Sequence, residues 1–185
     1  MQASTVTPGF AILEKFGKLL SYPGGDYLPE VEACRNAASE IDPEAARYLG
    51  DFSARLRGLS VESAQELYVQ TFDLNPICAL EVGWQLYGDN YDRGNFLVKM
   101  RQELERYGVP ENVELPDHLC HALPLLARMD AATARSFGAA SVIPALKKML
   151  AGFEGKESPY EPVLKALSRI LELASRDPAQ EAEHE

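Results

Sequence analysis

From Phe10 to Leu171 the apolar residues of this chain recur at helical spacing, and no stretch sustains the alternation of a β-strand. One stripe runs through Phe10, Leu13, Phe16, Gly17 and Leu20, another through Ala45, Tyr48, Leu49, Phe52 and Leu56. Later stripes pass through Ala64, Leu67, Tyr68 and Phe72, through Phe96, Leu97, Met100, Leu104 and Tyr107, and through Leu119, Ala122, Leu123 and Leu126. The last runs from Tyr160 to Leu171. Between the stripes stand helix start and stop signals. Thr7-Pro8, Asp42-Pro43 and Ser158-Pro159 pair a capping residue with a proline. Ser60, Asp89, Asp117 and Asp130 read as single caps, with His118 in the first turn of the helix that Asp117 opens. A short helix is expected from about Ala79 to Gly88. Leu74-Asn75-Pro76, Gly88 and Gly108 end helices, Pro124 bends one, and Pro144 interrupts one or starts a new piece. The expected fold is all-α: a single-domain helical bundle of about eight to ten helices, with boundaries good to ~2–4 residues. It covers residues 1–176, and the acidic, apolar-poor stretch 177–185 is expected to be a disordered tail.

At 185 residues a single core can be buried. The net charge of −10 excludes nucleic acid as the main ligand, since phosphate binding needs clustered Lys and Arg, and it suits a basic partner. The three cysteines are far apart and form no CxxC pair, so neither a disulfide framework nor a zinc site is expected. No signal peptide and no bilayer-spanning apolar run is visible, which points to a cytoplasmic protein without direct membrane insertion.

Polar, turn-forming and aromatic residues concentrate in three blocks: 68–73, 88–94 and 114–118. Asp117, His118, Cys120 and His121 lie close in sequence but lack the third partner a zinc site needs. Cys120 and His121 are helical neighbours that point about 100° apart, so they form no dyad. The 88–94 loop is no phosphate cradle, and Arg93 is expected to pair with Asp89 or Asp92. No catalytic residue and no metal site is therefore assigned. Tyr68, Phe72, Trp84 and Tyr87, together with the acids of neighbouring segments, suit a groove for an amphipathic helical peptide carrying Arg or Lys. Residue by residue, the core is the commoner place for each aromatic.

The string Tyr68-Val69-x-Thr71-Phe72-Asp73, then Gly88, then Asp92-Arg93-Gly94, then Glu114-Leu115-Pro116-Asp117-His118-Leu119 resembles the nitrate reductase delta-subunit (NarJ-type) family of the TorD/DmsD superfamily. Leu19-Leu20-Ser21-Tyr22-Pro23 adds to the match, which covers about residues 10 to 130. The resemblance implies a TorD-like, non-enzymatic assembly chaperone. Such a chaperone binds the N-terminal peptide of the apo catalytic subunit of a respiratory molybdoenzyme, nitrate reductase first. It binds no cofactor permanently, because the molybdopterin guanine dinucleotide belongs to the client. Combined with the aromatic and acidic residues above, the implied peptide site is Tyr68, Phe72, Asp73, Trp84, Tyr87, Arg93, Glu114, Pro116, Asp117 and His118. Gln85 stands where many members have histidine. Three alternatives remain: a chaperone for another molybdoenzyme of the superfamily, a small cofactor- or nucleotide-handling enzyme using Asp117 and His118, and a permanent subunit of a respiratory complex.

Overall fold

The computed structural model describes residues 8–176; the expected Thr7 cap and the 177–185 tail lie outside them. Nine helices form among the described residues. Helix α1 comprises Pro8–Ala11 and Leu13–Leu19, joined at Ile12. Next come α2 (Tyr27–Ser39), α3 (Pro43–Leu56) and α4 (Val61–Tyr68), which widens into a π turn, Val69–Asp73. Then follow α5 (Val82–Tyr87), α6 (Tyr91–Arg106) and α7 (Leu119–Arg128). Helix α8 runs through Ala131–Phe137, a π segment Gly138–Val142, and Ile143–Ala151, and α9 is Glu161–Ala174. No helix among them is long and apolar enough to cross a membrane.

Local chemistry sets several boundaries as expected. The Asp42 carboxylate accepts the Glu44 N–H, the Ser60 hydroxyl accepts that of Ser63, and Asp130 accepts that of Thr133 at 3.0 Å. Gly88 and Gly108 take positive φ just past their helices, a conformation that favours glycine. Three details differ from the sequence expectation. Asn90, not Asp89, caps α6, because its carbonyl oxygen reaches the Asp92 N–H. Helix α5 starts only at Val82, since Leu80 and Glu81 are held extended by a bridge to the 117–119 segment. Helix α9 starts at Glu161, with Ser158 accepting the Tyr160 N–H before it. Pro144, as expected, starts a new piece: it stands in the first turn of Ile143–Ala151, directly after the π segment Gly138–Val142.

The buried apolar side chains form one contiguous cluster. Helix α3 packs between α2 and α9, α1 lies along α7, and α8 bridges α9 and α5. Gly17 lets α1 meet α7 at its proline: a Cβ there would sit 2.9 Å from Pro124 Cδ. At the centre, aromatic rings pack together: Phe72 meets Tyr160 at 4.8 Å and Tyr68 at 5.2 Å edge to face, and Phe52 lies tilted 4.9 Å from Tyr160. The Tyr27 hydroxyl donates to the Leu19 carbonyl at 2.6 Å, so its polar tip is satisfied inside the core. Against this body α6 is an edge helix, with only Met100 and Leu104 fully buried.

Candidate functional site

The blocks singled out in the sequence meet where the end of α4, the 74–80 loop, α5, α6 and the 111–118 loop come together. The join is a single antiparallel bridge. Val82 N–H donates to the Asp117 carbonyl at 2.9 Å, and Leu119 N–H donates to the Leu80 carbonyl at 3.0 Å. Pro116, Asp117 and His118 are thereby buried.

Asp117 does cap a helix, but not the expected one. Its Oδ2 accepts the Gly83 N–H at 2.8 Å, in the first turn of α5. The backbone bridge turns its side chain away from α7, and His118 takes over there. His118 Nδ1 accepts the Cys120 N–H at 3.0 Å, making it the cap of α7 rather than a first-turn residue. That bond leaves the ring proton on Nε2, 3.3 Å from the Tyr68 oxygen, and the Tyr68 proton goes to the Leu20 carbonyl at 3.1 Å. Burial, reinforced by the neighbouring His121, lowers the His118 pKa to about 3. His121 is held between the Asn112 N–H, at 3.2 Å from Nε2, and the Leu115 carbonyl, at 2.9 Å from Nδ1. Among the described residues no three His, Cys, Asp or Glu side chains gather as a metal-ligand set.

Above this floor opens a cavity of about 190 Å³. It is lined by Phe72, Asp73, Pro76, Ala79, Leu80, Glu81, Trp84, Arg93, Glu114 and His118. Of the expected site residues, the structure thus brings together Phe72, Asp73, Trp84, Arg93, Glu114 and His118. Pro116 and Asp117 stand behind the wall, and Tyr68 is 1% exposed, beneath the surface. Phe72 shows only an edge, at 2% exposure. Tyr87 faces another cavity of about 360 Å³, between α5–α6 and α7–α8, where its ring lies 5.6 Å from Phe96. Pro76, Ala79, Leu80 and Glu81 are lining residues absent from the expected site, and Glu81 is the charged one among them. It belongs to no helical stripe, and only the bridge to His118 brings it here.

The cavity is acidic in an unusual way. Burial raises the pKa of Asp73, Glu81, Glu114 and Asp117. The Asp117 charge raises Glu81 further, and Asp73 raises Glu114. The resident cation is Arg93, whose guanidinium lies over the Trp84 ring at 5.3 Å. Among the described residues it pairs with no carboxylate, so the expected partners Asp89 and Asp92 do not hold it. Arg93 Nε and Asp117 Oδ1 are both buried without a hydrogen-bond partner. The loop opposite is tied down by α5. Trp84 Nε1 donates to the Pro76 carbonyl at 2.8 Å, and the Gln85 amide donates to Ile77 and Ala79 carbonyls at 3.0 and 2.9 Å. Beside the acidic lining stand exposed apolar side chains on the same loops: Leu74 at 73% exposure, Ile77 and Leu115.

Gly83 is where the floor is tightest. A Cβ there would lie 2.7 Å from Asp117 Oδ2 and 2.8 Å from Phe96 Cδ1. Gly83→Ala is therefore expected to destabilise the fold by about 1–3 kcal/mol through overpacking. Urea denaturation of the two proteins checks this, and an unchanged midpoint would show that the floor is not close-packed.

The chain is similar over 161 residues to the nitrate reductase molybdenum cofactor assembly chaperone NarJ of Escherichia coli K12, at 28% identity, covering 85% of this chain and 68% of that one. A Bacillus subtilis protein named for the same assembly role is 28% identical over 156 residues, covering 83% of this chain and 84% of its own. By sequence, then, the chain is similar to proteins named as NarJ-type assembly chaperones. These relatives are named for assembly of an enzyme, not for catalysis. No family profile matches the chain. A solved redox enzyme maturation protein from Archaeoglobus fulgidus shares the fold, with TM-score 0.61 and 21% identity over 93% of this chain and 96% of that one. The all-helical, TorD-like architecture expected from the NarJ-type blocks is thus the one found.

Proposed function

We propose that this chain is a cytoplasmic, client-specific assembly chaperone. It binds the N-terminal segment of a respiratory molybdoenzyme catalytic subunit, nitrate reductase first, while that subunit receives its molybdenum cofactor. The observation that carries the reading is the acidic cavity with bare apolar side chains on its flanks. Such a surface fits an amphipathic helix with basic residues. The NarJ-type relatives support the choice of client. The cofactor belongs to the client in this reading.

In this reading the side chains meeting the peptide's apolar face differ from those named on sequence grounds. Tyr68 and Phe72 are buried, so Leu74, Leu115 and the exposed part of Trp84 take that role. The alternative in which Asp117 and His118 perform acid–base chemistry is disfavoured, because Asp117 caps α5 and both His118 nitrogens are engaged.

Titration calorimetry with a synthetic N-terminal segment of a nitrate reductase catalytic subunit tests the proposal. Leu74→Ser and Leu115→Ser are each expected to weaken binding by about tenfold, as loss of an interface anchor does. Their unfolding midpoints should stay within about 0.5 kcal/mol of the parent, as for surface positions. Raising salt should weaken binding only in part, since the Debye length of ~8 Å screens exposed charges more than apolar contacts. Binding abolished by salt and indifferent to both leucines would place the peptide elsewhere. Co-purification with apo-enzyme but not with mature enzyme separates a chaperone from a permanent subunit.

A further inference from the structure

We infer that the cavity is a socket for one basic side chain of the bound segment, which enters between Glu81 and Glu114 and lies against the Trp84 ring. The inference rests on the reading of the site as a peptide-binding surface and names what that surface selects. Its basis is an imbalance of charge in a confined space. Asp73, Glu81 and Glu114 line the cavity, and Arg93 is the resident cation, with no carboxylate in salt-bridge reach among the described residues.

A second observation is independent of that cluster. Asp117 is wholly buried directly behind the cavity wall, and one of its carboxylate oxygens has no donor. Its charge bears on Glu81 and Arg93, which both line the space. A buried carboxylate without full hydrogen bonding is costly, and an added positive charge nearby relieves it. At Glu81 and Glu114 desolvation outweighs the pull of Arg93 and of His121, so both carboxyls are raised and a further positive charge beside them would favour their ionised forms. The volume, about 190 Å³, equals roughly six liquid waters, enough for the head of one long side chain and a few bridging waters. Trp84 offers its ring face to a cation, as it already does to Arg93. An anion is disfavoured by the same carboxylates.

Trp84 is the sole tryptophan of the chain and lines the socket, so its fluorescence reports on occupancy directly. The test uses synthetic peptides copying the N-terminal segment of a nitrate reductase catalytic subunit. Each arginine is replaced in turn by citrulline, its uncharged isostere, and each lysine by norleucine. One position is expected to lose about tenfold in affinity, the scale of a charge-assisted hydrogen bond. In Glu81→Gln that loss should shrink toward nothing, and in Glu114→Gln it should shrink in part, giving non-additive double-mutant cycles. Circular dichroism confirms that both variants fold. If every substituted peptide binds like its parent, or if the loss persists unchanged in both variants, the socket is refuted while the peptide site stands. If the parent peptide fails to bind at all, the proposed function falls and the socket with it.

Discussion

Phe72→Ala is expected to destabilise the protein by about 3–5 kcal/mol, the range for truncating a buried aromatic. Phe72 is 2% exposed and sits between Tyr68 and Tyr160 at the centre of the aromatic cluster. Removing the ring leaves a void bounded by stiff side chains and by the π turn Val69–Asp73, none of which can collapse into it cheaply. For a chain of this size the melting temperature should fall by roughly 10 °C. Urea denaturation and a thermal melt measure both quantities. Phe72→Leu keeps most of the volume and should cost much less. A Phe72→Ala variant as stable as its parent would mean that the cluster is not the structural centre. The prediction also bears on function: failure of Phe72→Ala to bind peptide would report a damaged core, whereas failure of a stable Leu74→Ser variant would report a lost contact.

Acidification is expected to unfold the protein partly through one histidine. His118 titrates near 6.5 in an unfolded chain and near 3 when buried, held there by desolvation and by His121. The folded state therefore binds fewer protons than the unfolded state between these values. The contribution of neutral His118 is fully present above about pH 6.5 and is lost as pH falls toward 3. The carboxyls Asp73, Glu81, Glu114 and Asp117, each desolvated to some degree, act with the opposite sign. Their folded pKa values are raised, so the fold gains relative to the unfolded chain as they protonate. His118→Asn separates the two effects. Its side-chain oxygen can still accept the Cys120 N–H and cap α7, while the titrating ring is gone. Stability measured by urea denaturation from pH 7 down to 4 should fall distinctly less in His118→Asn than in the parent. Parallel curves for the two proteins would show that His118 does not couple folding to protons.

The helix map was legible in the chain itself because its determinants are local. Asp42, Ser60 and Asp130 reach N–H groups two or three residues ahead, and Gly88 and Gly108 need only their own backbone freedom. The three polar blocks also come together in space, and most of the residues drawn from them line one cavity. What they do there depended on partners far along the chain. Asp117 and Gly83 are 34 residues apart, Tyr68 and His118 are 50 apart, and Glu81 enters only through a bridge to His118. Helical periodicity sets Tyr68 and Phe72 on one stripe and leaves Tyr87 on a separate short helix, but does not say whether each ring meets the core, the cavity or a different groove. That choice was made by packing: the rings of Tyr68 and Phe72 found Tyr160, and Tyr87 found Phe96. Sequence spacing fixed where each helix could lie, and the tertiary contacts decided which of its side chains a ligand can touch.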